Sequence, residues 1–498
     1  MKLLIIKVIK NLHTLMKFQR ILVLVINVNI NTFLGKYQIY VFIIVGLIGM
    51  CDGGETQAIS IVFPILEKEW NVSDSQKSLL GSLIYIGYFI GSLFSGVFAD
   101  KYGRRSSLIL SSGIMFICAI IGAFMPNFIS YMIFRIFLVT CVGFIIPVSF
   151  SMLAENTPLK SRGIVLVTIG FFYTAGELTV CLLTYIFMPN LVSGNWRAVL
   201  CWASAPALLT FLISNFLLLE SPRYHLIKGN VVEASQVIKK IFQLNNKEPI
   251  VIPITTYQNI SLELIKQEKE EQGLQEDLKD KSFLESYFIQ FRKLLKNQFI
   301  KITLVVWYQW FVNTFVYAGV TFLLPLTLNK LNPGEPQDDD VEDLKVITLS
   351  CLGEIPVIFI AMIIVNIRIF GRKNSLFLSY FGVGLVGLLI AIIAKGGYFF
   401  ASMIFFLKMF ISFSFTVSYQ FVSELYPTYM RASGLGFASS VGRLGSIIMP
   451  WIVVYINDIG TFLSYGIFGI ISMVAAIATL LLPFDTYQRE LDKVVTKI

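Results

Sequence analysis

Apolar residues along this chain come in long unbroken runs rather than in alternation or in amphipathic stripes, and short polar stretches cut those runs apart. About twelve of them reach the ~20 residues that a helix needs to cross a hydrocarbon core. Six fall roughly between Ile39 and Leu218 and six roughly between Ile302 and Leu482, on either side of a polar insert of about eighty residues. The pattern predicts an all-α membrane protein of about twelve transmembrane helices in two six-helix pseudo-repeats. The expected divisions are an N-terminal tail (1–36), a first bundle (37–218), a central loop (219–300), a second bundle (301–483) and a C-terminal tail (484–498).

Two motifs recur in one register. Glu155, Pro158 and Arg162 return 269 positions later as Glu424, Pro427 and Arg431, and Gly103-Arg104-Arg105 returns 268 positions later as Gly371-Arg372-Lys373. The chain is therefore read as duplicated. Duplicated apolar chains are a common build of secondary transporters, with a solute site at the membrane midplane between the halves.

Basic residues set the expected orientation. Lys101, Arg104 and Arg105 follow the second run, Lys160 and Arg162 the fourth, and Arg368, Arg372 and Lys373 the eighth, which places those loops and both termini in the cytoplasm. The loop after the seventh run is acidic (Glu335, Asp338, Asp339, Asp340, Glu342, Asp343) and is expected on the other side with the sequon Asn71-Val72-Ser73. The sequon Asn259-Ile260-Ser261, on the cytoplasmic side of this scheme, shows how often that short pattern arises by chance.

Composition sharpens the class. With 56% apolar residues, 43 Phe and a mean hydropathy of +0.73 in 498 residues, the solvent is lipid. Much of the net charge of +9 falls in the loops, and no soluble domain supports a nucleic-acid partner. All six cysteines lie in apolar stretches and read as small packing residues. His13 and His225 have no partner at metal-ligand spacing, and neither a phosphate-binding G-x-x-x-x-G-K-[ST] loop nor a catalytic triad spacing occurs. An enzyme, a metal site, a cofactor and a primary pump are not expected. For the first 33 residues, a targeting segment, an interfacial helix and a start upstream of a true Met16 all fit. In the central loop, Asn230 to Phe242 and Ser282 to Lys296 read as amphipathic helices, and Gln267 to Lys281 as a solvated charge run.

The ordered set Gly96, Asp100, Lys101, Gly103, Arg104, Arg105 resembles the loop between spans 2 and 3 of the major facilitator superfamily, where it implies a gating latch. Arg135, Pro147, Glu155 and Arg162-Gly163, then Glu220-Ser221-Pro222-Arg223, then Glu424 to Pro427 and Arg431 are similar to its sugar-porter and organic-ion branch. Met50 to Glu55 and Arg443-Leu444-Gly445 ahead of Pro450 look most like synaptic-vesicle-two-related and organic-cation types, and the short loops fit the former. The resemblance covers roughly Tyr37 to Pro483 and implies the major facilitator fold, a small-molecule solute, a lipid bilayer, protons as a candidate co-substrate and a monomer. The second latch departs from the pattern, with Arg368 where the acid is expected. Pseudo-twofold symmetry would let Glu155 face Arg431 and Glu424 face Arg162, in a cytoplasmic gate that also holds Arg104, Glu220, Arg223 and Arg372.

Charges within the runs cost on the order of 3 kcal/mol each at the bilayer centre unless paired or wet, which marks Asp52, Glu55, Arg135, Glu177, Glu354, Lys408 and Arg443 as candidate coupling or substrate residues. Asp52 stands in Asp52-Gly53-Gly54, an expected break in the first span, and is the first choice as proton carrier. The sugar-porter resemblance gives it Arg135 as partner. Uncoupled facilitated diffusion remains the alternative. Trp307, Gln309, Trp310, Asn313 and Tyr317 are the candidate solute cavity, although an interfacial aromatic belt accounts for Trp307 and Trp310 equally well. Glu177 and Glu354 suit a cation, Arg443 and Lys408 an anion. A non-transporting receptor or vesicle scaffold on the same fold is the alternative of another class, and gate residues in both halves weigh against it.

Overall fold

The computed structural model describes residues 35–157, 159–188, 194–248, 253–262, 291–292, 294–295, 299–331, 339–364, 367, 370–393, 397–426, 428–483 and 485. Among them are twelve helices long and apolar enough to cross a membrane: spans 1 (Lys36–Trp70), 2 (Asp74–Gly96), 3 (Arg104–Ala123), 4 (Phe128–Asn156), 5 (Thr168–Phe187) and 6 (Trp196–Leu217), then 7 (Ile300–Leu331), 8 (Asp343–Ala361), 9 (Lys373–Ile393), 10 (Gly397–Val422), 11 (Gly434–Ile456) and 12 (Leu463–Leu480). The fold is all-α, as expected. Of the two amphipathic helices expected in the central loop, the first is present as Val231–Leu244, and most of the second lies outside the described residues.

Polar punctuation ends the helices where backbone groups need partners. Asn71 adopts a left-handed conformation (φ 49°) at the end of span 1, and Ser73 and Gln76 form a reciprocal capping box that starts span 2. Asn127 accepts from the Ser130 amide at the start of span 4.

The duplication is visible in the packing. Span 1 lies on span 5 as span 7 lies on span 11, span 2 on 4 as 8 on 10, and span 3 on 6 as 9 on 12. Glycine makes the closest crossings. A Cβ on Gly53 would meet the Tyr173 carbonyl oxygen at 2.0 Å, and one on Gly176 would meet that of Met50 at 2.0 Å. Gly53 thus serves span packing, and span 1 runs unbroken through Asp52-Gly53-Gly54, contrary to the expected break. The interruption lies in span 8 instead, at Gly353 between the helices Asp339–Leu352 and Glu354–Ile364. Pro356 removes the amide that would have bonded to the Leu352 carbonyl.

The halves meet through spans 1 and 7, 2 and 11, and 5 and 8. Toward the end that carries Asn71, Ser82 donates to the Ile447 carbonyl (2.6 Å), Ser78 donates to that of Pro450 (3.4 Å), and Phe63 packs edge-on against Phe322. Toward the basic end, Gly96 and Gly436 on spans 2 and 11 face open space. Among the described residues the contacts between spans 2 and 11 are therefore made toward the Asn71 end.

Candidate functional site: buried ions within and between the halves

Among the described residues three charged groupings occupy the interior. The first is within the first half: Arg135 of span 4 meets Glu55 of span 1 at 2.7 Å and donates a further hydrogen bond to the Glu55 carbonyl, with both side chains about 4% exposed. This corrects the expected Asp52–Arg135 pair. Asp52 and Glu55 stand three residues apart, nearly one helical turn, and the guanidinium sits beside the second.

Asp52 belongs to the second grouping. Its carboxylate accepts from the Tyr88 hydroxyl (2.7 Å), and the Arg443 guanidinium of span 11 lies over the Tyr88 ring, 5.1 Å from its centroid. Among the described residues Arg443 has no carboxylate within 4 Å, although the Asp52 charge is close enough to feel it, as are Tyr85 and Tyr419. Tyr88 therefore holds Asp52 within the first half by its hydroxyl and meets the second half by its ring. Beside it a cavity of about 30 Å³, room for roughly two waters, is lined by Glu55, Thr56, Ser60, Tyr85, Tyr88 and Thr321 among others.

The third grouping bridges the halves. Lys408 of span 10 meets Glu177 of span 5 at 2.7 Å and Glu354, the first residue past the break in span 8, at 3.2 Å. The Tyr317 hydroxyl lies 3.0 Å from Glu177 and 2.9 Å from Glu354, and Thr174 donates to Glu354 (3.1 Å). Of the expected solute cavity in span 7, only Tyr317 reaches a charged group. Gln309 donates to Thr479 of span 12, and Asn313 donates to Ser418 and accepts from Ser414 of span 10. These amides hold the second half together. Trp310 is buried against Tyr419 and Phe415, which does not fit an interfacial belt, and Trp307 stacks on Phe291.

At the basic end Gly103 (φ 95°) turns the chain between spans 2 and 3, and the Glu220 carboxylate accepts from the backbone amides of Arg104 and Arg105 (3.0 Å each). A Cβ on Gly103 would fall 2.2 Å from that carboxylate, so glycine serves both the turn and the cradle. The second half repeats this with Asp485, which accepts from the amides of Arg372 (3.2 Å) and Lys373 (2.9 Å) beside Gly371 (φ 51°). In each half the carboxylate sits at the positive end of a helix. Asp485 escaped the sequence reading, although Pro483 to Asp485 after span 12 is the counterpart of Glu220 to Pro222 after span 6. Arg104 also reaches Glu155 (3.2 Å), Arg105 donates to the Asn215 carbonyl, Lys101 and Arg223 are exposed, and a Cβ on Gly96 would meet nothing within 4 Å. The side chains of Asp100, Arg162, Glu424 and Arg431, and Arg368, lie outside the described residues, so the crossed pairs do too.

Comparison with known proteins decides the family. The pattern of the family described as sugar (and other) transporter matches residues 30–497. This chain belongs to that family. It is 30% identical over 476 residues to the organic cation/carnitine transporter 7 of Arabidopsis thaliana, covering 92% of this chain and 93% of that one. It is 29% identical to the synaptic vesicle 2-related protein of Xenopus laevis, covering 92% and 80%. In fold it resembles a partially occluded, inward-open conformation of the xylose transporter XylE from E. coli, with a TM-score of 0.70, 20% identity and coverage of 91% and 99%. The fold is that of the major facilitator superfamily. This family member is a multi-pass membrane transporter, not an enzyme.

Proposed function

We propose that the protein moves a small organic solute bearing a carboxylate, and in the fullest form a zwitterion, by alternating access with its basic end in the cytoplasm. The observation that carries this reading is the contrast between the two interior cations of the second half. Lys408 is compensated by two carboxylates, whereas Arg443 has none within 4 Å among the described residues and rests on an aromatic ring. A guanidinium so placed is open to a bidentate partner, and a carboxylate fits it. The ring of Tyr85 and the charge of Asp52 suit a quaternary or primary ammonium on the same solute. The name of the Arabidopsis relative, an organic cation/carnitine transporter, agrees with that pairing.

Closure toward the Asn71 end and open space at Gly96 and Gly436 support an inward-facing state of a rocking cycle. The cycle needs the second state that gate residues in both halves provide for. A partly exposed ion pair contributes about 0–1 kcal/mol, so a set of them biases two conformations by a few kcal/mol.

The test is the melting temperature of the purified protein against a quaternary-ammonium carboxylate, a simple carboxylate, a simple organic cation and a hexose, followed by uptake into proteoliposomes. A solute at a hundred times its dissociation constant adds about 2.7 kcal/mol of stability. Stabilisation by the carboxylates, lost in Arg443→Gln, is the expected result. Stabilisation by the hexose alone, unchanged in Arg443→Gln, would sink the reading.

A further inference from the structure

The cluster between the halves has a proton inventory that its distances constrain. Tyr317 has one hydroxyl hydrogen, yet its oxygen stands 3.0 Å from Glu177 Oε1 and 2.9 Å from Glu354 Oε1. Two ionised carboxylates cannot both be served by one hydrogen. One of these contacts is a hydrogen bond given by Tyr317, and the other, at that distance, requires a hydrogen on the carboxyl. The Lys408 ammonium makes no hydrogen bond to Glu177 Oε1: it donates to Glu177 Oε2 (2.7 Å) and Cys351 Sγ (3.5 Å) and stands 3.2 Å from Glu354 Oε1 as an ion pair. The charge count agrees with the geometry. One ammonium with two carboxylates leaves one negative charge, in a place where Glu177 is wholly buried and Glu354 nearly so.

We propose that Glu177 and Glu354 share one exchangeable proton through the Tyr317 hydroxyl, and that this is the proton-binding site that holds the two halves together. The neutral carboxyl of Glu177 donates to Tyr317 Oη, and Tyr317 donates to the Glu354 carboxylate. When the O–H bond of Glu177 breaks, its hydrogen bonds to Tyr317 Oη, and the former hydroxyl hydrogen of Tyr317 bonds to Glu354. The proton thus crosses from the first half to the second with no change in the tyrosine. Lys408 neutralises whichever carboxylate is left charged. Loss of the proton to water leaves an uncompensated negative charge at the contact of spans 5 and 8, and the halves then gain by parting there.

The groups facing the pair come from five spans. Tyr173 and Cys181 lie on span 5 with Glu177, Cys351 on span 8, Tyr317 on span 7 and Lys408 on span 10, while Gln57 of span 1 accepts from Cys351 (3.8 Å). Asp52, also on span 1, makes its charge felt at Tyr173. None of these is a second cation, so the balance rests on Lys408 alone. The placement deepens the transporter reading by giving the coupling proton a site other than Asp52.

The experiment is infrared spectroscopy of the carboxylic-acid stretch in the full chain in lipid nanodiscs, titrated from acid to alkaline, with melting temperature followed alongside. At neutral pH the wild type is expected to show a protonated carboxyl band that disappears in Glu177→Gln and equally in Glu354→Gln, since each leaves a balanced pair with Lys408. That band survives in Asp52→Asn. Lys408→Met is expected to gain a second band, because two unpaired carboxyls must then both be neutral, and a gain cannot come from a misfolded chain. The wild type melts lower as pH rises, since the folded chain holds a proton that the unfolded chain has released, and the two Gln variants flatten that slope. Carboxyl bands unchanged in both Gln variants, or no gain in Lys408→Met, would overturn the proposal. The band requires no solute, so a protein that holds the proton but moves nothing keeps this inference and loses the transporter reading. Solute uptake without the band has the reverse meaning.

Discussion

The two salt-bridged interior clusters differ in stoichiometry and in what they join. Glu55 and Arg135 are one acid and one base within a single half, both nearly inaccessible, with a second hydrogen bond from the guanidinium to the backbone. Glu177, Glu354 and Lys408 are two acids and one base shared between halves that must separate if the protein cycles. A balanced pair inside a rigid body has nothing to exchange and fixes helix orientation. An unbalanced cluster across a moving interface is able to take up or lose a proton when the interface changes. Arg135, first matched to Asp52 for coupling, thus belongs to the static side of the comparison.

The largest effect is predicted at the static pair. Arg135→Met strands Glu55 in the interior and should cost about 3–5 kcal/mol at neutral to alkaline pH, seen as a large fall in melting temperature that shrinks toward acid pH, where the lone carboxyl is protonated. Adding Glu55→Leu should recover most of the loss; a double variant as unstable as the single would mean that the arginine acts through something other than its ion pair. Next is Lys408→Met, expected to cost about 2 kcal/mol at neutral pH, because a proton can replace the missing charge. The folded variant then binds two protons that the unfolded chain does not, so its stability must fall as pH rises. A Lys408→Met loss that does not change with pH would mean that neither carboxyl takes up the replacing proton and would erase the distinction between the two clusters.

Tyr317→Phe removes the shared hydroxyl and is predicted to cost about 1 kcal/mol, with a changed pH dependence as its signature. The smallest effect is expected for Thr174→Val, roughly 0.5–1 kcal/mol, since Lys408 and Tyr317 still serve Glu354. If Thr174→Val cost more than Tyr317→Phe in the same melting series, the proton would be held at the Thr174 side of Glu354 and not at Tyr317.

Much of the architecture was legible from single residues because the membrane punishes unsatisfied backbone so heavily. Twelve apolar runs became twelve helices, and the glycines Gly103 and Gly371 marked matching turns. The buried charges were also identifiable one by one. Their partners were not, since Asp52 and Glu55 present nearly the same face of span 1 and only the approach of span 4 selects between them. Gln309 and Asn313 misled for a related reason: an amide in a span serves a neighbouring helix as readily as a solute, and the sequence does not say which stands opposite. Gly53 looked like a helix break and proved to be a crossing point, while the break fell at Gly353, ahead of Pro356.

The sequence by itself determined the lipid solvent, the number of spans, the duplication and the list of charges that membrane burial makes costly, because each follows from local composition and chain order. Only the tertiary structure decided which carboxylate meets which cation, that Lys408 is doubly compensated while Arg443 is not, and that one tyrosine hydroxyl stands between two acids. Those facts depend on residues from 37 to 231 positions apart in sequence arriving within 3–4 Å of one another. No local pattern encodes such distances, and a shift of a single helical turn would have exchanged the partners.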